Sequence, residues 1–155
     1  MKSTLLKFID SIKVNPKIIT YDESSTKQAL ILPILQILGW NVFDVDEVTP
    51  EFVVENRKVD YALKNDNLSE VFIEVKNPKE DLDKHQDQLL DYSFRQGVEL
   101  AVLTNGLTWW LYLPTQKGSW RERKFYTIDI YEQDSELISN IFIDILSKQN
   151  VLNRE

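Results

Sequence analysis

Between Lys2 and Val14, the residues Leu5, Leu6, Phe8, Ile9 and Ile12 recur at the spacing of one helical face, and Asn15-Pro16 stops the run. The next apolar block, Ala29 to Leu38, is apolar on nearly every side. It predicts a helix N-capped at Asp22 or Ser24, closed by Gly39 as the residue after the C-cap, and buried between layers. Pro33 in its interior should bend it. After Trp40 the period changes to two. Asn41–Val45 and Phe52–Val54 read as short strands, while Lys58–Lys64 and Glu70–Lys76 alternate cleanly on either side of turn residues Lys64 to Ser69, predicting a hairpin. A helix over Asp81–Gln96 follows Asn77-Pro78 and ends at Gly97. Strands over Val98–Thr104 and Thr108–Leu113 flank Asn105-Gly106, and a strand over Lys124–Ile130 precedes an amphipathic helix over Ser135–Lys148. The order, roughly ααβββαβββα, predicts an α/β (α+β) fold: one mixed sheet with helices on its faces.

Composition narrows the chemistry. The 155 residues suit a single domain, and with glycine only at 39, 97, 106 and 118 there is no flexible linker to divide it. Hydrophobic residues make up 43% and charged residues 28%, as in an ordinary soluble protein. No apolar run approaches the roughly 18 residues of a membrane span, and the N-terminus lacks a signal-peptide core, so the expected compartment is the cytoplasm. Cysteine is absent and His85 is the only histidine, which excludes disulfides, thiolate chemistry and multi-histidine metal sites. A bound metal must therefore have oxygen ligands, pointing to magnesium, manganese or calcium. The net charge of −7 argues against nonspecific coating of nucleic acid, but not against an enzyme reaching phosphate through a metal and a few local cations.

The hairpin gathers the residues that matter. Val59, Tyr61 and Leu63 on one strand and Val71, Ile73 and Val75 on the other form apolar faces; Asp60 on the first, and Glu74 and Lys76 on the second, share the opposite face. Centring the hairpin on Asn67 sets Asp60 opposite Glu74, and a slip of one residue is forbidden by the apolar pattern. Two carboxylates so placed repel each other unless a divalent cation lies between them. Such a cation polarises a phosphate and lowers the pKa of bound water, and the Lys76 ammonium is placed to orient that water or to stabilise growing charge. Taken singly, a Glu-x-Lys on a strand is an ordinary exposed ion pair; the joint pattern is what carries the reading.

The runs Lys58-Val59-Asp60-Tyr61-Ala62 and Phe72-Ile73-Glu74-Val75-Lys76 resemble motifs II and III of the PD-(D/E)xK nuclease superfamily, and more narrowly the N-terminal nuclease domain of type I restriction enzyme R (HsdR) subunits. Val59 stands where the motif nominally has proline. Asp22-Glu23-Ser24-Ser25-Thr26 before Leu32-Pro33-Ile34-Leu35 resembles the family's first helix, which implies that Glu23 joins the metal site; a first-turn Glu is also favourable against the helix dipole whatever its function. Gln88-Leu89-Leu90-Asp91-Tyr92 resembles the Gln-x-x-x-Tyr element of the group. Its spacing places Gln88 and Tyr92 on one helical face with Lys84 and Arg95 nearby, a donor stripe for phosphate and sugar or else a solvated face with Tyr92 packed on the sheet. Leu103 to Tyr112 resembles the strand–turn–strand that follows; Trp109 or Trp110 offers a base-stacking surface, although at least one should be core.

The resemblance implies a restriction-endonuclease-like core over residues 1–155 and an Mg²⁺- or Mn²⁺-dependent endodeoxyribonuclease of restriction-modification or repair type. Asp60, Glu74 and Glu23 would be its metal ligands, Lys76 would complete the catalytic set, and Gln88, Tyr92, Lys84 and Arg95 would contact nucleic acid. DNA is the implied partner, with restriction-modification or repair subunits and a homodimer as further arrangements, and no membrane. No Gly-x-x-x-x-Gly-Lys-Ser/Thr loop is present, so the expectation is a stand-alone or accessory relative without an ATPase motor. The alternative is a catalytically inactive nucleic-acid-binding or partner-docking module on the same fold. His85 reads as an exposed helical residue, and Lys117–Lys124, with its cations around Trp120, as an ordinary hairpin between strands.

Overall fold

In the computed structural model, which describes residues 1–154, the chain opens with helix α1 (Lys2–Val14), whose Leu5, Ile9 and Ile12 are buried. Asp22 caps the next helix by accepting a hydrogen bond from the Ser25 N–H at 2.7 Å. That helix has three parts: α2 (Glu23–Thr26), a π-helical turn over Lys27–Ile31, and α3 (Leu32–Ile37). The expected bend at Pro33 takes the form of this wider turn, in which the Leu32 N–H reaches the Lys27 carbonyl. Proline brings no N–H to the ladder and its ring crowds the carbonyl one turn back; the wider turn makes room for it. At the other end Gly39 (φ 101°) closes the helix, with the Trp40 N–H donating to Leu35 O at 3.0 Å.

Six strands follow, adjacent in chain order: β1 (Val48–Val54), β2 (Arg57–Asn65), β3 (Leu68–Val75), β4 (Leu100–Thr104), β5 (Thr108–Tyr112) and β6 (Lys124–Asp129). All neighbours are antiparallel except β3 and β4, whose parallel pairing is bridged by α4 (Gln86–Arg95). A mixed sheet flanked by helices is thus what the pattern predicted. Asn41–Val45, however, is not a strand. The Asn41 and Asp44 carboxamide and carboxylate oxygens accept from the Phe43 and Asp46 N–H groups, and these local bonds hold the segment in turns. The C-terminal helix ends early as well: α6 (Ser135–Leu146) stops where Ser147 caps a new helix, α7 (Lys148–Leu152). Between β5 and β6 the Lys117–Lys124 segment holds a short helix, α5 (Trp120–Arg123), in place of a plain hairpin turn.

Both faces of the sheet are buried. The larger core joins Leu5, Ile9, Leu30, Ile31, Ile34, Leu35 and Phe142 from α1, the Glu23–Ile37 helix and α6 to Tyr61, Leu63, Val71, Ile73, Val75 and Trp109 of the sheet. The smaller core packs Leu89, Leu90 and Tyr92 of α4 on Val59, Ala62, Phe72, Ala101, Leu103 and Tyr112. Helices thus cover both faces, as the pattern predicted, and the face that carries Asp60 and Glu74 has its own core, to which Phe72 and Ala62 contribute. Among the described residues no helix is long and apolar enough to cross a membrane.

The turn between β4 and β5 locks the Glu23–Ile37 helix to the sheet. Asn105 is buried, its side chain accepting from the Leu107 and Thr108 N–H groups, and Gly106 adopts φ 89°. A Cβ at Gly106 would lie 2.6 Å from Leu30 Cδ1 and 3.0 Å from Thr26 Cγ2. Gly106→Ala combines this clash with a left-handed backbone and is expected to cost about 1–3 kcal/mol. Thermal unfolding should register that cost as a lowered Tm.

Candidate active site

The β2–β3 hairpin turns at Asp66-Asn67, both with positive φ (50° and 66°), not about Asn67 alone. Near the turn Asn65 pairs with Leu68 and Lys64 with Ser69; beyond it Leu63 pairs with Val71, so Glu70 is an extra residue on β3. This bulge shifts the register by one and restores the alignment that the simpler centring predicted, continuing through Ala62–Phe72 and Tyr61–Ile73.

At Asp60 the backbone ladder gives way to side chains. The Asp60 N–H donates to Glu74 Oε1 at 3.2 Å, and Asp60 Oδ2 accepts from the Val75 N–H at 2.7 Å. Where backbone would meet backbone, the two carboxylates bridge the parting strands. The twist also carries Val59 into the α4 core while Tyr61 stays in the other, although residues two apart on a regular strand share a face. The predicted common apolar face of Val59, Tyr61 and Leu63 is corrected accordingly.

A cavity of about 220 Å³ opens beside this break, and Glu23, Asp60, Glu74 and Lys76 all line it. Lys76 follows β3, its N–H bonded to Thr104 O at 2.8 Å, and its ammonium lies 4.0 Å from Glu74 Oε2. The cavity also contains three residues that the sequence reading did not single out: Lys27, Glu51 and Lys58. Lys58 pairs with Glu51 at 3.3 Å. Lys27 reaches Asp60 Oδ1 at 2.6 Å and Glu23 Oε1 at 3.6 Å. Its spacing from Glu23, four residues on a helix, was the one available signal; its contact with Asp60 joins distant parts of the chain.

The ionisation of the pair is uneven. Burial, then the hydrogen bond and negative charge of Asp60, push the Glu74 carboxyl up to about 8, with Lys76 offsetting only part. Burial works against Asp60 too, but Glu74, Lys27 and the Val75 N–H all donate to it and hold its carboxyl below the usual carboxylate range. The pair thus keeps one proton between them at neutral pH, mainly on Glu74, as closely opposed carboxylates do. For Lys27, burial is outweighed by the hydrogen bond and charge of Asp60, which raise its pKa.

A smaller cavity, with room for about one water molecule, adjoins the first and shares Lys58, Val59 and Glu74 with it. Gln88 and Tyr92 line it together with Arg57 and Leu89. Tyr92 also packs on Phe72, ring centroids 5.3 Å apart, and its hydroxyl, buried beside the Val54 backbone, makes no hydrogen bond of good geometry. The predicted stripe is divided. Lys84 lies in a 3-10 turn ahead of α4, because Asp81 caps that turn and the α-helix starts only at Gln86. Arg95 is held by Asp91 at 2.8 Å and Glu55 at 3.4 Å. Neither lines the two cavities. His85 meets Glu80 at 2.9 Å, away from the site. Trp109 is core and meets Phe142 edge-on, while Trp110 is half-buried under the Lys124 ammonium.

The donor set suits a hard divalent cation. Two opposed carboxylates that share a proton and recruit an ammonium are short of positive charge, and all their donor atoms are oxygen. Among the described residues no three acidic or histidine side chains stand close enough to form a metal cluster by themselves. A cation held by Asp60 and Glu74 would therefore keep most of its ligands as water or phosphate oxygens.

Comparison with known proteins gives one family match and two structural likenesses. Residues 47–120 match the family model described as the type I restriction enzyme R protein N terminus (HSDR_N). That segment contains Asp60, Glu74, Lys76, Gln88 and Tyr92, and the PD-(D/E)xK pattern fits it. The DrdV–DNA complex, solved by cryo-electron microscopy, superposes with a TM-score of 0.60 at 16% identity over 93% of this chain and 14% of that one. A fragment assigned to the HsdR subunit of a type I restriction enzyme from Vibrio vulnificus YJ016 superposes with a TM-score of 0.51 at 17% identity, over 80% of this chain and 25% of that one. At such identities these likenesses show the fold, which is that of restriction-enzyme domains; the chain spans a quarter or less of either neighbour's length. No curated protein sequence matches the chain closely enough to count as a relative.

Proposed function

We propose that the chain is a metal-dependent nuclease domain that hydrolyses phosphodiester bonds in DNA, with Asp60, Glu74 and Lys76 at its centre. The observation that carries this reading is the break in the β2–β3 ladder, where the side chains of Asp60 and Glu74 replace backbone pairing between the two strands and face one cavity together with Lys76. The match to the restriction enzyme R N-terminal family supports it.

Asp60 and Glu74 are the residues that would hold Mg²⁺ or Mn²⁺, with Glu23 at the cavity's edge. Bound there, the cation would polarise the phosphate and lower the pKa of its water. Lys76 contributes a fixed positive charge on the same side of the strand, suited to orienting the attacking water and to stabilising charge that grows on phosphate oxygens. Gln88, Arg57 and Lys58 offer donors to the DNA backbone at the rim of the adjoining cavity, while Tyr92, its hydroxyl buried, would shape the wall behind them. Lys84 and Arg95 belong to the same interface only at its margin, since neither reaches a cavity wall. DNA is the proposed partner, and the cytoplasm the proposed location.

Incubating the chain with circular, linear and branched DNA, in Mg²⁺ or Mn²⁺ and again in chelator, tests this directly. Metal-dependent cleavage is expected. Salt-sensitive binding without cleavage under every metal would instead support the inactive binding module, a reading favoured by the net charge of −7 and by the lack, among the described residues, of three acids close enough to form a metal cluster.

A further inference from the structure

We infer that Lys27 sets the divalent-cation affinity of this site, its ammonium competing for the charge position between Glu23 and Asp60. The inference rests on the reading of Asp60 and Glu74 as cation-holding carboxylates.

The ammonium is held in place. Lys27 opens the π-helical turn, and its neighbours Thr26 and Leu30 are buried against the Gly106 turn. Only 20% of its side chain is exposed, and its Nζ lies 2.6 Å from Asp60 Oδ1 and 3.6 Å from Glu23 Oε1. With the Val75 N–H on Oδ2, both Asp60 oxygens already have a donor. The other lysines compensate elsewhere: Lys58 pairs with Glu51 and Lys76 lies by Glu74. Lys27 is therefore the cation that balances Glu23 and Asp60 while no metal is bound. A divalent cation arriving at Asp60 meets this fixed positive charge at close range, where the repulsion between them is large. Glu23 lines the cavity and pairs with this ammonium, and among the described residues it forms no three-acid cluster with Asp60 and Glu74.

Lys27→Met keeps the aliphatic stem and removes the charge. In calorimetric titration of the full chain with Mn²⁺, it is expected to bind on the order of tenfold more tightly than the parent protein. Lys27→Arg should stay close to the parent. Without metal, Lys27→Met should have a lowered Tm that Mn²⁺ restores, because Glu23 and Asp60 then lose the cation they share. Should that variant fail to fold in chelator, Lys27→Gln, with its neutral hydrogen-bonding end, serves the same titration. An ion pair of merely structural value would leave Mn²⁺ affinity unchanged or weaker on removal of its charge. That result, alongside Asp60→Asn having lost Mn²⁺ binding, overturns the role of Lys27. Undiminished Mn²⁺ binding by Asp60→Asn overturns the underlying assignment of the metal site instead.

Discussion

Asp60→Ala and Lys76→Ala are each expected to lower metal-dependent DNA cleavage by at least about 10²- to 10³-fold, the scale on which loss of one preorganised electrostatic group acts in active sites. The two losses have different origins. Asp60→Ala removes the carboxylate that accepts from the Val75 N–H and faces Lys27, so the cation loses a holder and the strands lose a clasp. Lys76→Ala removes only a charge at the end of β3, where the backbone is already fixed by the bond from its N–H to Thr104 O. Lys76→Ala should therefore retain Mn²⁺ binding and an unchanged Tm while cleavage falls, whereas Asp60→Ala should lose both cleavage and metal binding. Cleavage rates measured beside calorimetry and circular dichroism separate the cases. Robust cleavage by both variants would remove the site from consideration.

Glu74→Gln is expected to stabilise the metal-free protein at alkaline pH. The folded-state carboxyl titrates at about 8 against an ordinary 4.5, so the folded state binds its proton more tightly than the unfolded chain does. The sign follows from linkage: where the native state holds more protons, stability falls as pH rises. Below the ordinary value both states are protonated and nothing is lost. Through the window from 4.5 to about 8 the parent protein loses stability, and above it the buried pair carries two charges in full. Glutamine still donates to Asp60 but never ionises. In chelator near pH 9 its advantage should reach about 2 kcal/mol or more, a rise in Tm of roughly 5 °C for a chain of this size, and should vanish near pH 5. Activity should be lost at the same time, since a stable neutral side chain there is a poor cation ligand. Equal Tm values for the two proteins across this range would show that the proton is not shared as described.

Much of the architecture was legible because it rests on local rules. The alternation in β2 and β3, the Asp22 cap, the Gly39 stop and the Asn105-Gly106 turn all follow from residue type and period. So did the meeting of Asp60, Glu74 and Lys76, though the register came out right through two departures that cancel, a turn at Asp66-Asn67 and a bulge at Glu70. The rest depends on contacts between distant segments. Val59 leaves its expected face because side chains replace the ladder at Asp60, and no periodicity announces such a substitution. Lys27 meets Asp60 across thirty-three positions of chain and through a π-helical turn, which shifts the phase that helical spacing assumes. Lys84 leaves the α4 face because a capped 3-10 turn interrupts the helix there, and Arg95 is drawn to Asp91 and Glu55. Charge pairing of this kind is invisible in composition.

The central claim, that the broken β2–β3 ladder is a divalent-cation site, is tested most directly by locating Mn²⁺ through its anomalous scattering in crystals soaked with the ion. A peak in contact with the Asp60 and Glu74 carboxylates, with the Lys27 ammonium displaced from Asp60 Oδ1, is the result predicted. Soaked crystals in which that cavity shows no peak, and Lys27 still lies on Asp60, would contradict it.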